Sequence, residues 1–284
     1  MQSQKIRIRL KAYETGCGKC PQLNSSKQRD ISYWLHRHKK KIYSKAALMV
    51  ICPSRWLAEA ARKSSLLCDA HIEVIYNGVD VSRFRPQNRN NARRELGLEV
   101  DSKLILYGAV GAFTDSNKGS DLLVSALKIY QHAGKRVDIA IFGTEQAPDA
   151  LSASINGRTH VLGFINDIDK LATLYSAADV MIVPSRSESL GFTVMEAMSC
   201  VTPVVAFRVG GIPELVTHKV TGYLATPYNC NELAEGIEWA LNLEGAEAAE
   251  VSCQARSSIE VQFTLEQQVD KYCELYNHLI LDYI

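Results

Sequence analysis

Short apolar runs alternate with longer amphipathic runs through most of the chain, and this alternation limits the possible folds more than any other feature. The runs KLILYGAV, VDIAIFG, DVMIVPS and PVVAF are rich in β-branched residues and predict buried strands. Between them, DLLVSALKIYQHAG, IDKLATLYSAA and FTVMEAMSC carry apolar residues at helical spacing. Strands separated by such helices need crossover connections, which predict a parallel sheet with helices on both faces. We therefore expect an α/β, doubly wound, Rossmann-like domain.

The regular alternation starts near residue 85, which suggests three segments. Residues 1–84 contain two candidate strands, AALMVICPS and IEVIYNG, and predict a partial N-terminal unit. Residues 85–260 form the predicted nucleotide-binding domain, and residues 261–284 form a helix expected to pack back toward the N-terminal part. The apolar stripe on this helix predicts a packed face; its members are Val269, Tyr272, Cys273, Tyr276 and Leu279.

Composition and charge restrict the partners. The chain has 284 residues, 46% hydrophobic, and its formal net charge is +1, so no global field favours nucleic acid. The basic run at residues 36–41 is either a solvated helix face or a local contact with nucleic acid or an anionic membrane surface. No apolar run approaches the ~18 residues that span a bilayer, and the eight scattered cysteines fit a reducing compartment. We expect a cytoplasmic protein, with peripheral membrane contact left open.

Cys17 and Cys20 have the spacing of half a zinc site. No second CxxC or HxxxH follows at the distance that such sites use. The alternative is a turn in which the thiols simply pack. We predict no metal site elsewhere in the chain.

Ligands of doubly wound sheets bind beyond the carboxyl ends of the strands, so the loops that follow the strands are the candidate site. One of these loops contains Lys118, and another, residues 185–191, ends where a helix begins. The N–H groups of Ser189, Leu190 and Gly191 at that helix start favour an anion, as does the lysine. This combination suits a diphosphate.

Two carboxylates flank the same helix start. Glu188 precedes the helix and could accept hydrogen bonds from a polyhydroxylated ligand. Glu196 lies in the second turn among apolar residues, where a carboxylate is costly unless donors satisfy it. Ribose hydroxyls are such donors; the alternative is that Glu196 faces solvent.

The stretch PSRSESLGFTVMEAMSCVTPVVAFRVGGIPELV resembles the Glu-x7-Glu signature of retaining, GT-B-fold glycosyltransferases of family 4, the glycosyl transferases group 1. NGVDVSRFRP resembles the interdomain junction of that family, and NKGSDLLVSAL and LGFINDIDKLATLYSAADVMIVPS resemble other parts of its second domain. TGCGKCPQL and PSRWLAEAA are similar to members that assemble polysaccharides. The resemblance runs from about residue 48 to the end of the chain.

This resemblance implies transfer of a hexose from a nucleoside-diphosphate sugar to a glycan or lipid-linked acceptor, with retained configuration and without a metal or other cofactor. The implied catalytic residues are Lys118, on the diphosphate, and Glu188, on the hydroxyls of the donor sugar. Glu196 would bind the ribose, and the amides of residues 189–191 would bind the distal phosphate. Phe164 and Ile165 would meet the base.

The sequence departs from the family pattern in two places. The family places an arginine shortly before its lysine, but no arginine lies between Tyr107 and Lys118. Residues 1–84 would be only a remnant of the acceptor-side domain, so a truncated or non-catalytic module that binds nucleotide sugars is the main alternative. A nucleotide-sugar 2-epimerase is the second alternative. The Gly210–Gly211 pair is either a ligand loop or a tight turn.

Overall fold

The computed structural model describes residues 12–108, 110–131, 134 and 136–281. The chain divides into two compact units, Met1–Ile75 and Tyr76–Ile284. The predicted boundary lay at 84/85, and we describe each unit by itself.

The first unit is small. Its helices are α1 (Ala12–Thr15), α2 (Ile31–Tyr43) and α3 (Arg55–Lys63), and its strands β1 (Met49–Cys52) and β2 (His71–Val74) pair in parallel. Helix α2 begins where the Asp30 side chain accepts hydrogen bonds from two backbone N–H groups, and the Ser54 side chain caps α3 by accepting one from the N–H of Leu57. Cys52, Ala58 and Ala61 form the buried core of this unit.

The second unit holds the predicted parallel sheet. Its strands are β3 (Leu104–Gly108), β4 (Asp138–Phe142), β5 (Thr159–Val161), β6 (Val180–Val183), β7 (Val204–Phe207) and β8 (Gly222–Ala225). Its helices are α4 (Arg89–Glu95), α5 (Ser120–Gln131), α6 (Asp149–Ser152), α7 (Ile168–Ala177), α8 (Phe192–Ser199), α9 (Ile212–Leu215), α10 (Cys230–Leu241), α11 (Gly245–Gln262) and α12 (Leu265–Leu281).

The six strands lie in the order β5-β4-β3-β6-β7-β8, and every neighbouring pair is parallel. The chain therefore builds outward from β3 in one direction, then returns to place β6 on the other side of β3. The doubly wound, Rossmann-like prediction is confirmed. The reversal between β3 and β6 opens a crevice at the carboxyl ends of these two strands, which is where such sheets bind ligands.

The first residues of the second unit join its core. Val79 and Phe84 are buried, and the backbone of Val79 pairs with Phe263 and Leu265 on either side of the α11–α12 junction. Gly78 lies so close to this junction that an added Cβ would stand 2.4 Å from the Thr264 carbonyl oxygen.

The C-terminal helices differ from the sequence-based expectation. Helix α11 was not predicted, since its buried positions Val251, Ala255 and Ile259 form only a narrow stripe. The expected packed stripe on α12 is wrong within the described residues, because Val269 and Tyr276 are more than half exposed. The packing of residues 261–284 toward the N-terminal part stays a prediction. Within the described residues, no helix is long and apolar enough to cross a membrane.

Candidate functional site

Two loops meet at the crevice between β3 and β6. The loop after β3 ends in a 3-10 turn, Ser116–Lys118, and Gly119 then adopts a left-handed backbone with φ of 67°. A Cβ on Gly119 would lie 1.9 Å from the carbonyl oxygen of Pro184, just after β6. Glycine is therefore required for the close approach that brings Lys118 to the second loop.

Lys118 and Glu188 form an ion pair across this junction. Lys118 Nζ stands 3.3 Å from Glu188 Oε2, and the two side chains are 29% and 21% exposed. Both groups are thus partly shielded yet reachable by a ligand. The predicted catalytic pair lies together, one member from each loop of the crevice.

Helix α8 begins at Phe192, four residues after Glu188 in the sequence. Gly191 is the residue before the helix, with φ of 108°, and no side chain caps it. Within the described part of the chain, no group accepts a hydrogen bond from the N–H of Ser189, Leu190 or Gly191. Ser189 is exposed and Leu190 is buried. Unpaired N–H groups and the helix dipole make this end electropositive.

The Gly210–Gly211 pair supports the backbone of Glu188. The Gly211 N–H donates to the Glu188 carbonyl at 3.0 Å. Gly210 has φ of 56°, and a Cβ there would lie 1.8 Å from the same carbonyl oxygen. The paired glycines therefore have a packing role, which fixes where Glu188 stands.

Glu196 is half-buried in the second turn of α8. The hydroxyl of Tyr175, from α7, donates to Glu196 Oε2 at 2.6 Å, and Tyr175 itself is fully buried. Burial raises the pKa of Glu196 above its usual value, and the tyrosine hydrogen bond partly offsets this. Glu196 does not point freely to solvent.

Phe164 and Ile165 follow β5, at the edge of the sheet. Phe164 is 53% exposed, whereas Ile165 packs partly against the core. Two strand spacings, about 10 Å, separate β5 from β3, so this loop does not join the Lys118–Glu188 pair directly. Only an extended ligand could reach both places.

Sequence comparison identifies the fold family. The model of the family described as "Glycosyl transferases group 1" matches residues 88–258, which covers the whole sheet. The chain belongs to the glycosyl transferases group 1 family.

Individual members of this family resemble the chain over most of its length. D-inositol 3-phosphate glycosyltransferase of Mycobacterium bovis is 34% identical over 222 residues, which are 75% of this chain and 45% of that relative. The chain thus spans less than half the length of this relative.

Solved structures agree on the fold. Sucrose-phosphate synthase from Thermosynechococcus elongatus superposes with a TM-score of 0.73 at 29% identity, covering 90% of this chain and 63% of the other. HepE of Anabaena, solved with UDP and glucose, superposes with a TM-score of 0.68 at 24% identity, covering 85% of this chain and 66% of the other.

Two residues at the crevice of this member of the glycosyl transferases group 1 family were not predicted from the sequence. Tyr175 holds Glu196, and Arg186 binds the Lys118 loop through Ser116 and Asp121. The sequence offered a signal for Arg186 alone, which lies two positions before Glu188, because Tyr175 and Glu196 are 21 positions apart. Within the described residues, no three His, Cys, Asp or Glu side chains cluster as metal ligands would, Cys17 and Cys20 included.

Proposed function

We propose that this chain binds the donor in a glycosyltransferase that moves a hexose from a nucleoside-diphosphate sugar to an acceptor hydroxyl, with retained configuration. The observation that carries the proposal is the Lys118–Glu188 pair at the switch point of the sheet. A cation suited to phosphate and a carboxylate suited to sugar hydroxyls stand side by side there. A sugar diphosphate presents those two chemistries on adjacent groups.

In this proposal, Lys118 and the N–H groups of residues 189–191 stabilise the diphosphate as the bond to the anomeric carbon breaks. Preorganised donors aimed at developing negative charge are an effective source of catalysis. The positive charge of this site needs no metal ion. Glu188 accepts hydrogen bonds from hydroxyls of the donor sugar.

The remaining donor contacts lie further along the carboxyl edge of the sheet. Glu196, oriented by Tyr175, accepts from the ribose, and the base lies against Phe164 and Ile165. An extended nucleotide is long enough to cross from the crevice to the β5 edge. The hexose and donor assignments draw support from HepE of Anabaena, which was solved in complex with UDP and glucose.

The acceptor in this proposal is a glycan or a lipid-linked glycan, at the cytoplasmic face of a membrane. Support comes from α2, where Ile31, Trp34, Leu35 and Ile42 are about half exposed or more. Helical geometry puts these four residues on one face, with Lys39 and Lys41 on its two sides. Apolar residues flanked by lysines are typical of helices that lie in an anionic membrane surface.

Vesicle binding tests this contact. The protein is expected to co-sediment with vesicles containing anionic phospholipid and to leave them at high salt. Trp34→Ala is expected to weaken binding, whereas Trp239→Ala, on α10 of the second unit, is not. Equal binding to neutral and anionic vesicles would contradict the proposal.

A module that binds the donor without transferring it is the second candidate, because the Lys118–Glu188 pair fits it equally: both groups are assigned to the donor. Calorimetry with UDP, GDP and ADP tests binding, and nucleotide release from their glucose conjugates with glycan acceptors tests transfer. Binding without release would favour the module. Absence of binding to any of the three would overturn both candidates.

Lys118→Ala provides the matched variant for this experiment. Loss of a charge-assisted contact costs about 1.5–3 kcal/mol, so nucleotide affinity is expected to fall by roughly 10- to 100-fold. Lys128→Ala removes an exposed lysine from α5 and is expected to leave affinity unchanged. Equal losses in the two variants would mean that nucleotide binds elsewhere.

A further inference from the structure

We propose that Arg186 is a positioning residue that holds the Lys118 loop in place, a role that rests on the proposed function. Arg186 follows β6, two positions before Glu188, and its side chain is 17% exposed. Arg186 Nη1 donates to the Ser116 carbonyl at 2.6 Å and to Asp121 Oδ1 at 2.8 Å, and Nη2 donates to Asp121 Oδ2 at 2.5 Å. The guanidinium thus contacts residues on both sides of Lys118.

The backbone of Arg186 adds a further bond to the same loop. Its N–H donates to the Asn117 carbonyl at 2.7 Å, next to Lys118. The hydroxyl of Tyr228, after β8, donates to the Arg186 carbonyl at 3.1 Å and fixes this residue from the other side. Arg186 thus contacts Ser116, Asn117 and Asp121, and it ties the backbone on both sides of Lys118 to the segment that leads into Glu188.

The geometry is specific to arginine. A planar guanidinium binds both oxygens of a carboxylate in a fork and still reaches a carbonyl, which the single ammonium of lysine cannot reproduce. Asp121 supplies the matching charge, and its hydrogen bond to Arg186 lowers the pKa of the Asp121 carboxyl. Direct binding of phosphate by Arg186 would require the guanidinium to leave Asp121, so the contacts favour positioning.

The sequence of the Lys118 loop explains why such a support matters. From the start of β3 to Lys118 the chain holds no other basic residue. Lys118 is then the only source of positive charge in this loop. Displacing a positioned group by a small distance lowers binding affinity and the rate of catalysis. The Arg186 contacts limit how far the backbone around Lys118 can move.

A double-mutant cycle distinguishes positioning from other roles. The probe is whichever of UDP, GDP or ADP binds the wild type most tightly, measured by calorimetry. Arg186→Ala is expected to weaken binding about tenfold, as for members of one hydrogen-bond network. Because Arg186 acts through Lys118, the double variant Arg186→Ala/Lys118→Ala is expected to bind no more weakly than Lys118→Ala.

The control is Arg158→Ala, which removes a surface ion pair with Glu99 at the opposite end of the sheet. Its nucleotide affinity is expected to match the wild type. If Arg186→Ala does not fold, Asp121→Asn breaks the fork while leaving the arginine, and the same cycle with Lys118→Ala applies.

The outcomes separate the two proposals. Wild-type affinity in Arg186→Ala, or losses that add fully to those of Lys118→Ala, would overturn the positioning role and leave the donor-binding proposal intact. Failure of the wild type to bind any of the three nucleotides would overturn both.

Discussion

At the scale of single residues, Glu196 shows how a site residue can lower the stability of its own fold. Its carboxylate is half-buried, and its one described hydrogen-bond partner is the buried Tyr175 hydroxyl. Burial favours the protonated form, so the folded chain holds this proton more tightly than the unfolded chain does. Ionisation of Glu196 therefore takes stability away from the folded state.

We expect Glu196→Gln to make the protein more stable at neutral pH. Below the usual pKa of 4.5, both folded and unfolded chains keep the proton, so wild type and variant should be alike. As the pH rises from 4.5 through the raised pKa of the folded state, the wild type loses the stability contributed by this proton, and the variant does not. Thermal unfolding from pH 4 to 8 measures the difference.

The control for this prediction is Glu247→Gln, an exposed change on α11. It should give no gain that grows with pH. A difference between Glu196→Gln and wild type that stays constant from pH 4 to 8 would contradict the expected role of burial.

At the scale of secondary-structure elements, two glycines allow the loops of the site to touch. Gly119 lies against the Pro184 carbonyl, and Gly210 against the Glu188 carbonyl. The sequence predicted that strand ends would form the site, because parallel strands present their carboxyl ends at one edge. It could not predict these contacts, since the partner of each glycine lies in a different βα unit.

Gly210→Ala is expected to lower the free energy of unfolding by about 2–4 kcal/mol, from left-handed strain together with overpacking. Turnover should also fall, because the backbone of Glu188 has to move. Gly97→Ala is the matched control: its φ is 67°, but nothing lies within 4 Å of the added Cβ. That change should cost only about 1–2 kcal/mol of conformational strain. Equal costs at the two positions would mean that the Glu188 contact is unimportant.

At the scale of the whole molecule, β-branched runs identified the strands, and the alternation of strands and helices predicted the sheet. Lys118 and Glu188 lie in loops at the carboxyl ends of predicted strands, and this predicted that they could share one crevice. Helix α11 was not predicted because alanine and serine residues interrupt its apolar stripe. The prediction of a packed stripe on α12 was wrong because helical periodicity shows which residues share a face but not whether another element covers that face. Arg186 and Tyr175 depend on tertiary packing, which spacing does not encode.

The boundary of the second unit can be tested by truncation. Residues 76–284 are expected to unfold in one cooperative transition at a higher temperature than residues 85–284. The shorter chain lacks Val79 and Phe84, and burial of such side chains contributes about 1.5–3 kcal/mol each. Calorimetry of the two chains measures the difference. Equal midpoints would support the boundary at 84/85 that the sequence suggested.

The salt bridge between Lys118 and Glu188 has a consequence for the order of recognition. While the two are joined, Glu188 Oε2 is paired with an ammonium group, and a free hexose would have to compete with that group for it. Under the proposed function, a diphosphate would pair with the lysine instead and leave the Glu188 carboxylate available to the hydroxyls of the attached sugar. A sugar without a diphosphate would then bind more weakly, so the pair would favour activated sugars over free ones.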